Sequence, residues 1–277
     1  MTFVVMCDKT SKKMLSIIII EYHSLNDIKK CIESIKANCP DLEYEVIVSS
    51  NSCYSEKKQK EIKHETSGVK WLFNARNGGF AYGMNRGLGV ASGDYLVIMN
   101  PDVKITTSLL PMLTFLETHK GVGAIAPQII GHDGEIQDSC REFVTPFRFA
   151  ARQIRRLITK EESVRSDRID YSKVQTVDCV IGAFIMFSRE VYDKIGGLDE
   201  GYFMYAEDID LCTRIWQAGY QVVYYPGVKI EYEGSRSARV SKKYAQIFIK
   251  SHLRYWKKFG FLSCCYPKNP KRVFSNV

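Results

Sequence analysis

Residues 15–37 read LSIIIIEYHSLNDIKKCIESIKA, and the change of pattern inside this stretch decides the fold class. Leu15–Ile20 is a continuous apolar run, which marks a strand buried on both faces. Ser24 and Asp27 make a capping-box-like start. Leu25, Ile28, Ile32 and Ile35 then recur at helical spacing, predicting a helix over 25–37 with Pro40 just beyond its end. A two-sided strand running straight into an amphipathic helix is one βα unit.

The same alternation continues outward. Strands are expected at 44–49 (YEVIVS), 69–73 and 95–99 (YLVIM). Helices are expected over 55–65, 80–91 and 107–119, followed by the apolar stretch 122–130. This pattern predicts an α/β protein with a mainly parallel central sheet flanked by helices. Ligands of such sheets bind beyond the carboxyl ends of the strands. Residues 132–175 are polar, basic and weakly periodic, and are expected to form an excursion with a short helix over 147–158. Order returns at 177–188, then a helix over 207–218 and a strand over 220–225 that Pro226 is expected to end. A basic amphipathic helix covers 240–259. The expected organisation is one continuous domain over 14–240 and a basic helix and tail over 241–277.

A chain of 277 residues can bury a sizeable core without disulfides or a structural metal. Its net charge of +8 suits anionic partners such as nucleotides, phospholipid head groups or nucleic acid. Part of the excess sits at Arg148, Arg152, Arg155, Arg156 and Lys160, and part in the C-terminal stretch from Lys242 to Arg272. The nine cysteines have no C-x-x-C spacing, which fits a reducing cytosol. Met1–Cys7 lacks the charged start and cleavage pattern of a signal peptide, and no apolar run approaches the roughly 18 residues that cross a bilayer. A cytoplasmic protein is expected, with the C-terminal helix as a peripheral contact on the inner face of the cell membrane. The alternative for that helix is packing on the domain with solvated lysines. There is no Walker motif, zinc spacing or RNA-binding signature, so no nucleic-acid partner is expected.

Three constellations carry chemistry. Asn100-Pro101-Asp102 follows the fourth strand, where one carboxylate together with diphosphate oxygens suffices to hold Mg²⁺ or Mn²⁺; the competing reading is a plain turn. Residues 74–87 (NARNGGFAYGMNRG) combine glycines, which allow close backbone approach to a ligand, with a helix start that attracts phosphate and with Arg76 and Arg86. Glu207 and Asp208 begin a helix behind an aromatic loop (YFMYA), where a carboxylate opening onto a cleft can serve as a general base. First-turn acids complementing the helix dipole are the simpler reading of that pair.

Together these residues resemble family 2 glycosyltransferases, in particular the rhamnosyltransferase-like branch that builds bacterial cell-surface polysaccharides. The resemblance spans about 14–260. The family stretch N-x-x-N-x-G-F-x-x-G-x-N-x-G is matched in full by Asn74, Asn77, Gly79, Phe80, Gly83, Asn85 and Gly87, the metal motif by Asn100-Pro101-Asp102, and the G-G-x-D-E…E-D-x-D-L-C block by Gly196 to Cys212. The resemblance implies a GT-A fold and single displacement with inversion at the anomeric carbon. It implies Asp208 as catalytic base, with Glu207 orienting the acceptor, and Asp102 as anchor of Mg²⁺ or Mn²⁺. Donor-binding positions carried over are Glu21, Tyr22, Ser50, Asn51, Arg76, Asn77, Gly79, Phe80, Asn85 and Asn100. The implied partners are a nucleoside-diphosphate sugar, with dTDP-rhamnose suggested by the branch, and a glycan or polyprenyl-lipid-linked acceptor. Three positions depart from the family. Ser50 stands where an Asp is usual, Glu21 where a small polar residue is usual, and Tyr232 where a metal-ligating His is common, with Glu233 a substitute oxygen ligand. These departures motivate an alternative: a catalytically weakened nucleotide- or glycan-binding member of a polysaccharide-assembly complex.

Overall fold

The computed structural model describes residues 13–143, 145–147, 149–151, 154, 169–232, 241–262 and 272–274. The chain runs β1 (Met14–Glu21), α1 (Leu25–Asn38), β2 (Glu43–Ser50), α2 (Glu56–Glu65), β3 (Val69–Phe73), α3 (Phe80–Leu88), β4 (Tyr95–Met99), β5 (Lys104–Ile105), α4 (Leu110–Thr118) and β6 (Val122–Ile130). It continues through β7 (Cys140–Arg141), β8 (Gln175–Thr176), β9 (Cys179–Val180), β10 (Phe184–Ser188), α5 (Arg189–Ile195), α6 (Glu207–Gln217), β11 (Gln221–Glu231) and α7 (Lys242–Phe259).

The main sheet has the order β3-β2-β1-β4-β10-β6-β11-β5, with β8 beside β11. Its first four strands are parallel. β10 is inserted antiparallel to both β4 and β6, and β11 returns to parallel pairing with β6. The chain winds outward from β1 to β3 and then crosses to β4 on the other side of β1. That reversal opens a crevice above the carboxyl ends of β1 and β4.

β1 explains the apolar run. Leu15, Ile17 and Ile19 join a cluster with Ile28, Ile32 and Ile35 of α1 and Phe115 of α4. Ile18 and Ile20 join an opposite cluster with Met84 and Leu88 of α3 and Ile215 of α6. Alternate side chains thus enter two different cores, each fully buried isoleucine contributing roughly 1.5–3 kcal/mol. α7 belongs to the second cluster: Tyr255 and Trp256 are buried in it. Lys258 of α7 also reaches the fully buried Asp210 of α6 at 2.6 Å, beside Arg214 at 2.6 Å.

Two expectations need correction. Ser24 stands at the N-cap of α1, but its side chain makes no capping bond. Its amide instead donates to Glu21 Oε1 at 2.9 Å, which turns the entry to the helix. Pro226 does not end the last strand: β11 continues to Glu231, and its register with β6 shifts between Tyr225 and Lys229. A proline has no N–H for the ladder, and a bulge is where one is tolerated. In the 132–175 excursion, residues 146–147, 149–151 and 154 are helical. Arg148, Arg152, Arg155, Arg156 and Lys160 lie outside the described residues.

Candidate active site

A cleft of about 520 Å³ opens above the carboxyl ends of β1, β2 and β4 and is closed on its far side by the loop before α6. Tyr22, Asn51, Asn77, Gly79, Phe80, Asn100, Asp102, Glu207 and Asp208 of the expected site all line it. Segments far apart in sequence therefore meet there, as the crevice rule predicts.

The acidic pair is presented by a constrained turn. Tyr205 and Ala206, both non-glycine, have φ of 70° and 64°, and Ala206 is the N-cap of α6. Such a conformation costs about 1 kcal/mol or more per residue and is held by surrounding contacts. Among these, Phe80 donates its amide to Phe203 O at 2.8 Å. Gly79, with φ of 93°, leaves no room for a Cβ against the same Phe203 carbonyl. Asp208 accepts from Gly182 N at 2.9 Å and from Ile209 N at 2.8 Å, one bond to each carboxylate oxygen. Burial raises its pKa, and those two amides oppose the rise. Glu207 is buried as well. Burial, and after it the charge of Asp208, raises its pKa above the usual carboxylate range.

Across the cleft, Asp102 follows β4. Desolvation raises its pKa, with the charge of Asp27 adding to the rise. Asp27, in the first turn of α1, also lines the cleft. It was not anticipated as a site residue: its place three residues after Ser24 suggested a helix cap. The signal that would have found it is a carboxylate shortly after the end of β1. Asn100 donates to the Tyr232 hydroxyl at 2.9 Å. Burial and then the charge of Asp102 push the Tyr232 phenol up to about 12, so it is a neutral hydrogen-bonding group at physiological pH. Lys243 of α7 is the cationic side chain among the described lining residues, facing four carboxylates.

Four expected donor-binding residues do not line the cleft. Glu21 is fully buried, and its carboxylate accepts from Ser50 Oγ, Ser52 Oγ, Tyr54 OH and Ser24 N. Ser50 is its cross-strand partner in the β1–β2 register. The two departures from the family pattern thus answer each other: the carboxylate stands on β1 instead of β2, turned inward onto its own hydroxyl donors. Asn85 clamps the 196–200 loop, donating to Leu198 O at 2.8 Å and accepting from Leu198 N at 2.8 Å. Arg76 is exposed and lies over the Tyr82 ring, 5.0 Å from its centroid. Glu233 lies outside the described residues, as does the rest of its run, 233–237.

Two glycines of 74–87 serve packing within the protein. A Cβ on Gly83 would meet Ile20, and one on Gly87 would meet Ile18, so these positions let α3 lie close on β1. The asparagines stitch the strand ends together. Asn74 Nδ2 donates to Asn51 Oδ1 at 2.9 Å, and Asn51 Nδ2 donates to Gly79 O at 2.9 Å.

Comparison with known proteins identifies the family and the fold. The family profile described as glycosyl transferase family 2 matches residues 16–196, and that of glycosyl transferase family group 2 matches 148–263. The chain is 27% identical to the rhamnosyltransferase WbbL of Escherichia coli K12 over 265 residues, covering 90% of this chain and 95% of that protein. It is 27% identical over 185 residues to an N-acetylglucosaminyl-diphospho-decaprenol L-rhamnosyltransferase of Mycobacterium tuberculosis, covering 61% of this chain and 60% of that one. Among solved structures, GalNAc-T7 with UDP, GalNAc and Mn²⁺ superposes with a TM-score of 0.65 at 14% identity, covering 90% of this chain and 48% of that one. The mannosyltransferase PcManGT of Pyrobaculum calidifontis, with GDP-Man and Mn²⁺, superposes with a TM-score of 0.61 at 17% identity, covering 92% of this chain and 67% of that one. The structural likeness identifies the fold as GT-A. With a family match over well more than half its length, the chain belongs to glycosyl transferase family 2 and is a glycosyltransferase.

Proposed function

We propose that this chain transfers one sugar from a nucleoside-diphosphate donor to a hydroxyl of a glycan or polyprenyl-lipid-linked acceptor, with inversion at the anomeric carbon. One observation carries the reading: Asp208, fixed by two backbone amides, faces the same cleft as Asp102. In the reaction, Asp208 accepts the proton of the acceptor hydroxyl as that oxygen bonds to the anomeric carbon. The bond from that carbon to the diphosphate oxygen breaks, and the nucleoside diphosphate leaves with the electron pair. Tyr22, Asn51, Asn77, Gly79 and Phe80 line the cleft and are the residues proposed to hold the nucleotide.

Among the described residues no three His, Cys, Asp or Glu side chains form a ready-made metal cage. The donor set nevertheless fits a hard divalent ion. Asp102 and Asp27 offer carboxylate oxygens, and the charge of Asp27 already strains the ionised form of Asp102. Asp102 is the proposed anchor of Mg²⁺ or Mn²⁺, with diphosphate and water oxygens completing the shell. When bound, the ion offsets charge on the leaving diphosphate. Two neighbouring structures carry Mn²⁺, which supports the use of a divalent metal by this fold.

Relatives named as rhamnosyltransferases favour rhamnose as the transferred sugar, with dTDP the carrier that the family resemblance suggests, and the mycobacterial one favours a lipid-diphosphate-linked acceptor. Such an acceptor is held at a membrane. No described helix is long and apolar enough to cross one. The outer face of α7 and the two residues after Gly260 instead expose Ile249, Leu253, Phe261 and Leu262. Lys242, Lys250 and Lys257 are exposed on the same helix, with no acid anywhere in 242–262. We propose that this face rests on an anionic lipid surface.

The test is incubation with dTDP-rhamnose and N-acetylglucosaminyl-diphospho-polyprenol, with the product linkage read by NMR. An inverted anomer is expected. Asp208→Asn should lower turnover by about 10²–10⁴-fold with the fold intact. Undiminished transfer by that variant, or a retained anomer, rejects the mechanism.

A further inference from the structure

Glu207 and Asp208 are adjacent acids in one cleft, yet the protein treats them differently. Asp208 has a backbone N–H on each oxygen. Glu207 is only 7% exposed and lines the same cleft, and its Oε2 has no hydrogen-bond partner. The one hydrogen bond that favours its charge comes from its own backbone amide. A buried carboxylate oxygen with no donor costs far more when ionised than when it carries a proton that a ligand can accept.

The surrounding charges reinforce the asymmetry. Asp210 lies two residues beyond Asp208 in α6, and its charge further opposes ionisation of Glu207. The cation of Arg141, from β7, favours the charged form of Asp208; His252, from α7, does so only when protonated, and burial lowers its pKa. Arg141 is itself held by Asp138 at 2.8 Å. Asp102 and the neutral Tyr232 face the cleft from the ends of β4 and β11, and Lys243 lines it from α7. None of these bonds Oε2 of Glu207.

We infer that Glu207, which the family resemblance implies orients the acceptor, does so as a neutral carboxylic acid whose unpaired O–H donates to a hydroxyl oxygen of the bound sugar, a positioning residue beside the ionised base Asp208. The pair divides one proton: it resides on Glu207, and Asp208 stays free to accept the proton of the acceptor. Desolvation, and after it the charge of Asp208, holds the Glu207 carboxyl above the usual range, consistent with this division. The inference rests on the reading of Asp208 as base, and the experiment separates the two.

Glu207→Gln preserves shape and a donor group and cannot ionise. It should retain kcat/KM to within about tenfold, the worth of one hydrogen bond, whereas Glu207→Ala should lose more, mainly through KM. The wild-type profile of kcat/KM should fall on its alkaline side as Glu207 ionises, and Glu207→Gln should abolish that fall while keeping the acid limb set by Asp208. A melting series needs no substrate. The folded-state pKa of Glu207 is raised, so the wild type loses stability as pH rises from the ordinary carboxylate range through that raised value. The Gln variant does not lose it, and its Tm advantage should widen with pH over the same window. A Gln variant as inactive as Ala, or a Tm difference that is flat with pH, overturns the inference. Full activity of Asp208→Asn would instead remove the base assignment, and the melting series would still decide the protonation of Glu207.

Discussion

Gly182 N and Ile209 N hold Asp208 at 2.9 and 2.8 Å, and burial nonetheless raises its pKa. A base must be deprotonated to act. A raised pKa therefore moves the acid limb of kcat/KM above the range of an ordinary aspartate. The check is a pH–rate profile, where an acid limb at or below the ordinary range would show that the amides outweigh burial. At this scale the sequence revealed which segments meet, not which way their side chains turn. Asp102, Asn51 and Asn77 follow strand ends and line the cleft. Glu21 also ends a strand, but the hydroxyls of Ser50, Ser52 and Tyr54 turn its carboxylate inward. Those donors come from the following strand and the loop beyond it, and no local pattern around residue 21 announces them. Asn85 was drawn away in the same manner by Leu198, 113 residues later.

The strand and helix periods of β1 to α4 were legible because each element has one or two apolar faces. What escaped was the reason for Gly79 at the start of α3, which depends on Phe203, in a loop more than a hundred residues on. Gly79→Ala tests that reason. Its backbone conformation, φ 93° and ψ −178°, is close to glycine-only, and its Cβ would strike the Phe203 carbonyl. The loop carrying Glu207 and Asp208 has to shift. A loss of about 1–3 kcal/mol is expected, read as a Tm lower by roughly 2–10 °C, with activity falling more than stability accounts for. Gly68→Ala is the control. It has φ of 85° with nothing within 4 Å of its Cβ, so it should lower Tm and leave activity alone. In α7 the inner face is fixed by Tyr255 and Trp256, while Ile249 and Leu253 are 55% and 52% exposed. Ile249→Ser with Leu253→Ser should leave Tm unchanged. It should weaken co-sedimentation with phosphatidylglycerol vesicles by about tenfold, and added salt should weaken binding of both proteins. Equal binding by the double variant would remove α7 as the membrane face.

The charge of the whole molecule and that of its cleft have opposite signs. The chain carries a net +8, but the carboxylates of Asp27, Asp102 and Asp208, with the neutral Glu207 beside them, line the cleft against Lys243 among the described residues. A nucleoside diphosphate brings further negative charge into that space. The excess of lysine and arginine elsewhere steers such a ligand from a distance but does not neutralise it where it binds, because exposed charges are screened beyond about 8–10 Å. A divalent cation resolves the conflict, and this gives the strongest prediction at this scale. In thermal melts with UDP, dTDP, GDP and CDP, one nucleotide should stabilise the protein in Mn²⁺ and do little in EDTA. At about 100 times its dissociation constant the ligand adds roughly 2.7 kcal/mol, or about 5–10 °C for a domain of this size. Asp102→Asn removes one cleft charge and the proposed anchor together. If the anchor matters more than the charge, the variant loses the Mn²⁺-dependent shift. If repulsion alone was the obstacle, the variant binds nucleotide without metal better than the wild type does, and the anchoring role of Asp102 falls.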